Sequence, residues 1–166
     1  MENPYREILA ALAKADVDFI LGGGVACVLQ GVERVTMDVD LAVLMAPLNL
    51  RKFLVVMDRL GLRPRVPIPP LSLLDPAVVR TIVEEKHALV FSFLDVDRPT
   101  RQVDIFLRSD LSYDTLLPDT EWADMGGFKV RIITKKKLLA IKLAIVPPRT
   151  KDLLDIEHLR KHVGKD

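Results

Sequence analysis

Cysteine is almost missing from this chain of 166 residues: Cys27 is the sole thiol, so no internal disulfide can form. That scarcity points to a cytoplasmic protein, with Cys27 packed inside a short helix rather than serving as a catalytic thiol. Long apolar runs are missing too. No stretch approaches 18 uninterrupted apolar residues, which leaves no candidate for a helical membrane span. The opening MENPYREILAAL has no basic start followed by an apolar core, so no secretion signal is expected. Net charge is also scarce, at +1. What is present is 49% apolar and 28% charged residues, a balance that suits a packed globular chain and argues against disorder. The length fits one domain, read as a core over residues 1–133 with a helical segment, 134–166, packed on it.

The small net charge hides an asymmetry. Residues 1–128 hold 13 Lys/Arg and 19 Asp/Glu, a net −6, whereas residues 129–166 hold 11 and 4, a net +7. An acidic part facing a basic part suits a triphosphate or an RNA backbone. A solvated pair of lysine-rich helices is the plainer explanation.

The most informative stretch is Leu21 to Leu44, LGGGVACVLQGVERVTMDVDLAVL. Gly22, Gly23 and Gly24 follow the apolar run Val17–Leu21, which reads as a strand. Successive glycines admit positive φ and let backbone N–H groups approach an anion such as phosphate. A short helix from Val25 to about Gln30 is expected, with Gly31 ending it. The segment Thr36 to Val43 then reads as a second strand. Side chains two apart on a strand share a face, so Thr36, Asp38 and Asp40 should project together while Val39, Leu41 and Val43 enter the core. Two carboxylates about 5 Å apart repel by roughly 3 kcal/mol at an effective dielectric near 20. A fold tolerates that at a strand end in water or where a cation cancels it. Donors that are all oxygen favour a hard ion, Mg²⁺ or Mn²⁺.

A glycine pair, a short helix and Asp-x-Asp on a strand resemble the nucleotidyltransferase superfamily of the DNA polymerase β type. The longer string GGGVACVLQGVERVTMDVDL is similar to its small AbiEii-like branch, which includes toxins of toxin–antitoxin pairs. The resemblance implies an α/β (α+β) fold, a mixed sheet flanked by helices and followed by a C-terminal helical pair. It implies two Mg²⁺ or Mn²⁺ ions with nucleotide bound, a nucleoside triphosphate such as ATP as donor, and phosphate contacts from Gly23 and Gly24. It also implies a third acid on a neighbouring strand. Asp104 is the candidate, because it lies within the apolar strand Arg101–Leu107 with Val103, Ile105 and Leu107 on the other face. An aspartate on a solvent-facing side of that strand is the alternative.

The rest of the chain supplies scaffold and further candidates. Asn3-Pro4 starts a helix with Ile8, Leu9 and Leu12 as its stripe. A second helix runs from Pro47 to Gly61, with Leu48, Phe53, Leu54, Met57 and Leu60 expected inward. Four prolines in Leu62–Pro70 read as a stiff loop. Asp75 caps a helix from Pro76. Strands Ala88–Leu94 and Arg101–Leu107 flank a turn in which Asp95 and Asp97 serve turn chemistry rather than a metal. Ser112–Gly126 reads as loop around the lone Trp122. Phe128–Ile133 is a strand, and Thr134 caps a helix to about Val146. Arg34 can pair with a carboxylate or reach a phosphate. Lys142 can snorkel or contact a phosphate. Lys151 belongs to an Arg-x-Lys-Asp helix start that also resembles the AbiEii-like branch. His158 and His162 lack a third ligand, so no zinc site is assigned.

The reaction that the resemblance implies is transfer of a nucleoside monophosphate to a hydroxyl of RNA, protein or a small molecule. An antitoxin is an implied partner, and no membrane is. The alternative is a catalytically inactive relative that binds a nucleotide or a partner. A metal-dependent phosphohydrolase or nuclease would use the same carboxylates and ranks behind both.

Overall fold

In the computed structural model, which describes residues 3–164, a seven-stranded mixed sheet runs through the molecule in the order β3-β4-β5-β2-β1-β7-β6. Its strands are β1 (Phe19–Gly22), β2 (Val39–Val43), β3 (Leu62–Pro64), β4 (Val90–Asp95), β5 (Gln102–Phe106), β6 (Thr120–Asp124) and β7 (Lys129–Ile133). The helices are α1 (Pro4–Lys14), α2 (Gly23–Leu29), α3 (Pro47–Arg59), α4 (Pro76–Lys86), the single turn α5 (Tyr113–Leu116), α6 (Lys135–Leu143) and α7 (Thr150–His162). This is the α/β architecture, a mixed sheet with flanking helices and a C-terminal helical pair, that the sequence pattern leads one to expect.

Local chemistry explains most element ends. The Asn3 side chain accepts a hydrogen bond from the Tyr5 N–H, Asp75 from Ala77 and Thr134 from Lys137, each satisfying a donor left over at a helix start. In the turn after β4, the Asp95 carboxylate accepts the N–H groups of Asp97 and Arg98 and pairs with the Arg101 guanidinium at 2.6 Å. The second Asp-x-Asp is therefore turn chemistry, as its setting beside Pro99 suggests.

One sheet face is dry. Val39, Leu41, Val103 and Ile105 are buried there, and Phe53 of α3 meets Phe93 of β4 edge to face at 5.6 Å. Ile8, Leu9 and Leu12 of α1 join the same core, fully buried. The opposite face carries Gly22, Asp40, Asp104 and Ser92 in one row. Gly22 lies opposite Asp40, Asp40 opposite Asp104, and Asp104 opposite Ser92. Adjacent strands thus present a glycine, two acids and a serine side by side, strands being about 4.8 Å apart.

Several elements differ from the pattern-based expectation. β2 starts at Val39, so Thr36 and Asp38 precede the strand rather than continuing its face. α2 starts at Gly23, two residues earlier than Val25, because the glycines themselves form its first turn. Leu62–Pro64 is a short strand, and Pro64 is tolerated because β3 is the sheet edge. Ser112–Gly126 contains α5 and β6, the latter paired along its length with β7. β6 is missed by hydrophobic patterning because TEWAD is the other edge strand and its side chains stay wet. Trp122 is 60% exposed, with the Arg131 guanidinium 4.4 Å from its ring centre. Leu48 points outward, against expectation, and α6 stops at Leu143 rather than at Val146.

Candidate active site

The site assembles where β1 turns into α2. Gly23 has φ +58°, a left-handed conformation that favours glycine, and a Cβ there would overlap Asp40 Oδ2. A Cβ on Gly24 would overlap the Arg34 guanidinium and the Thr36 hydroxyl. The glycines are required because Asp40, Arg34 and Thr36 lie directly on their backbone. Gly23, Gly24, Arg34, Thr36 and Asp40, all singled out from sequence, are therefore packed into one place.

The acids are brought together as well. Burial first, then the charges of Asp104 and Asp38, push the Asp40 carboxyl up to about 6. Lys142 and Lys151 pull the other way. Asp40 has no hydrogen-bond or ion-pair partner among the described residues. Asp104 is buried, and both its oxygens accept hydrogen bonds from Gln102 Nε2, at 2.9 and 3.0 Å. The solvent-facing alternative for Asp104 is thus excluded, since the residue is only 9% exposed. Asp38 is exposed in the segment before β2.

Lys142 is placed differently from a free phosphate ligand. It is buried on α6, with Nζ 2.9 Å from Asp152 Oδ1 and 3.0 Å from Asp155 Oδ2 on α7. Burial alone would lower its pKa, but hydrogen bonds to those two carboxylates raise it. Asp155 also faces Arg34, Nε to Oδ1 at 2.9 Å. Burial would raise the Asp152 carboxyl, yet hydrogen bonds from Arg149 and Lys142 hold it well below the usual carboxylate range. Asp152 Oδ2 also accepts the Arg149 backbone N–H at 3.1 Å, closing the start of α7. Lys151 is exposed beside this turn. Cys27 lies among these groups, and its thiol is pushed up to about 11 by burial and then by Asp155, which suits a packed group rather than a nucleophile.

Asp152, Asp155, Arg149 and Gln102 are the structural partners that pattern reading did not assign to the site. The signal for the first two was their spacing: residues three apart on one helix face share neighbours, and both face the lysine on α6. Gln102 is two residues from Asp104 on the same strand face, a relation that points to contact only once that strand is placed.

Among the described residues, no three Asp, Glu, His or Cys side chains stand close enough to form a ready-made metal site. The donor chemistry nevertheless fits a hard divalent cation. Asp40 is a carboxylate with no hydrogen-bond or ion-pair partner among the described residues, next to a second carboxylate in register, with the exposed Asp38 two residues before it.

No protein-family model matches the chain, and no curated protein sequence matches it. Solved structures do, and they identify the fold as that of nucleotidyltransferases of the polymerase β type. The chain is similar to the lincosamide antibiotic adenylyltransferase LnuA, solved with lincomycin bound, at 16% identity over 96% of each chain with a TM-score of 0.64. It is similar to ANT(2")-Ia in complex with adenylyl-2"-tobramycin, at 15% identity over 96% of this chain and 87% of that one, TM-score 0.62. A nucleotidyltransferase-like protein from Paracoccidioides brasiliensis matches at 17% identity over 95% and 75%, TM-score 0.58.

Proposed function

We propose that this chain is a metal-dependent nucleotidyltransferase that moves a nucleoside monophosphate from a nucleoside triphosphate to a hydroxyl acceptor. The observation that carries the proposal is the row Gly22–Asp40–Asp104, with Asp40 lying against Gly23. Asp38, Asp40 and Asp104 would hold Mg²⁺ or Mn²⁺. The chemistry supplied by the bound ions is neutralisation of phosphate charge and stabilisation of the attacking and leaving oxygens. Asp104 would accept the proton of the attacking hydroxyl, a role that its burial beside Asp40 supports. The backbone of Gly23 and Gly24, with Arg34 and Thr36 beside it, would take the triphosphate. Lys142 contributes positive charge behind the acids, and Lys151 and Arg149 at the start of α7 supply more at the rim.

The acceptor we favour is a hydroxyl on a small molecule, since LnuA and ANT(2")-Ia were solved with an antibiotic and an adenylylated antibiotic. RNA and protein hydroxyls, and a role in a toxin–antitoxin pair of the AbiEii-like kind, are the competing assignments. The test is incubation with Mg²⁺ and each α-³²P-labelled nucleoside triphosphate, against hydroxylated antibiotics, tRNA and protein extract. Label transferred by the native chain and lost in Asp38→Ala and Asp40→Ala supports the proposal. Full transfer by Asp40→Ala refutes it. Stabilisation by Mg-nucleotide with no transfer to any acceptor would favour the inactive binding protein.

A further inference from the structure

The Gln102 side chain occupies an informative position. Its Nε2 lies 2.9 Å from one Asp104 oxygen and 3.0 Å from the other. An atom equidistant from both oxygens lies on the bisector of the carboxylate, on the side where a bidentate cation would sit. The orientation of the amide is fixed by chemistry, because a carboxylate only accepts and the NH₂ end must face it. The amide therefore presents its N–H groups to Asp104 on the side where a cation would bind. Little locks it there. Among the described residues its Oε1 accepts one hydrogen bond, at 3.4 Å, from Nη2 of the exposed Arg65, at the weak end of hydrogen bonding.

We infer that Gln102 is a positioning residue that caps Asp104 in the resting protein and must swing aside when a divalent ion enters. This rests on the metal-site reading of Asp38, Asp40 and Asp104. Its consequence is that nucleotide and metal bind together. Without nucleotide, an ion must displace the amide unaided. With nucleotide, the phosphate oxygens add ligands and the displacement is offset. Gln102 thereby keeps the two like charges of Asp40 and Asp104 tolerable without a metal ion and weakens metal binding before the donor substrate arrives.

The experiment is Mn²⁺ binding by the full chain, followed by electron paramagnetic resonance, with and without a non-hydrolysable α,β-methylene ATP. Native protein is compared with Gln102→Ala and with Gln102→Met, which keeps the length and removes the donor. Without nucleotide, both variants should bind Mn²⁺ about tenfold more tightly, the scale of losing one charge-assisted hydrogen bond. With the analogue all three proteins should bind more tightly, and the variants should keep a lead of about tenfold, because the amide is displaced in either case. A second reading needs no variant: the Gln102 side-chain NH₂ signals of ¹⁵N-labelled native protein should move on adding Mg²⁺ with the analogue, and stay in place with Mg²⁺ alone at the same concentration. If native protein binds Mn²⁺ with nucleotide while the variants bind equally or less well without it, the cap is refuted and the transferase reading stands. If no Mn²⁺ binds to any of the proteins in either condition, both are refuted.

Discussion

At the scale of single residues, Asp40 has the clearest physical signature. Its carboxyl titrates near 3.8 in an unfolded chain and is raised to about 6 in the folded one by burial and by the Asp104 and Asp38 charges. The folded state therefore holds that proton more tightly than the unfolded state. Stability of the metal-free protein should rise as pH falls from about 7 towards 4, and the penalty is complete above pH 7. A carboxyl raised this far costs on the order of 3 kcal/mol once it is ionised. Asp40→Asn should flatten that dependence and stabilise the protein at pH 8, while abolishing transfer. Urea unfolding in EDTA across this range reads it directly, and an unchanged slope in Asp40→Asn would contradict the assignment. Gly23 makes a companion case. Gly23→Ala imposes a side chain at φ +58° and drives Asp40 from its place. We expect a loss of roughly 2 kcal/mol in stability and a larger proportional loss in Mn²⁺ affinity. A variant with native Mn²⁺ affinity would show that the contact between Gly23 and Asp40 is dispensable.

At the scale of elements, the buried charges between α6, α7 and the segment before β2 do the joining. Asp155 is fully buried and faces both Lys142 and Arg34, so it ties the segment bearing Thr36 and Asp38 to α7. Removing one member leaves charges buried without compensation, which costs about 3–5 kcal/mol. Asp155→Ala should fall in that range, and Lys142→Met should too. The double variant should cost clearly less than the two added, since each single change orphans the other's partner. Chemical denaturation of the four proteins gives the coupling, and strict additivity would show that the pair is not the joint. This network also marks where legibility ended. The glycine turn, β2 and β5 announce themselves through alternation and glycine, because local backbone chemistry decides them. Asp104 was singled out because the resemblance implies an acid on a neighbouring strand, and a lone acid within an apolar strand is costly to bury unpaired. The role of Lys142 was not legible: a lysine on a half-apolar helix looks alike whether it faces water, phosphate or two carboxylates from another helix. β6 was hidden for a related reason, since an edge strand with wet faces carries no period.

At the scale of the whole molecule, opposite charges from the two parts of the chain meet at the acids. The acids of β2 and β5 come from the part with net −6, and the cations of α6 and α7 from the part with net +7. Lys142 and Lys151 already moderate Asp40 across this boundary. A metal alone sees the acids and is opposed by the cations; a free triphosphate sees the reverse. Only the two together match both sides, so each should bind weakly alone and tightly in company, a coupling that linkage makes reciprocal. At a hundredfold excess over its dissociation constant, a ligand that binds only the folded state stabilises it by about 2.7 kcal/mol. For a chain of this size that is roughly 5–10 °C in melting temperature. We expect Mg²⁺ with a nucleoside triphosphate to give a shift of that order, and each alone to give markedly less. EDTA or Asp40→Ala should remove the combined shift, whereas Lys151→Ala should reduce it by weakening the hold on the nucleotide. Differential scanning fluorimetry over a grid of Mg²⁺ and nucleotide concentrations resolves the coupling. Shifts that simply add would mean that acids and cations serve separate sites, and would remove the electrostatic basis for a single nucleotide site.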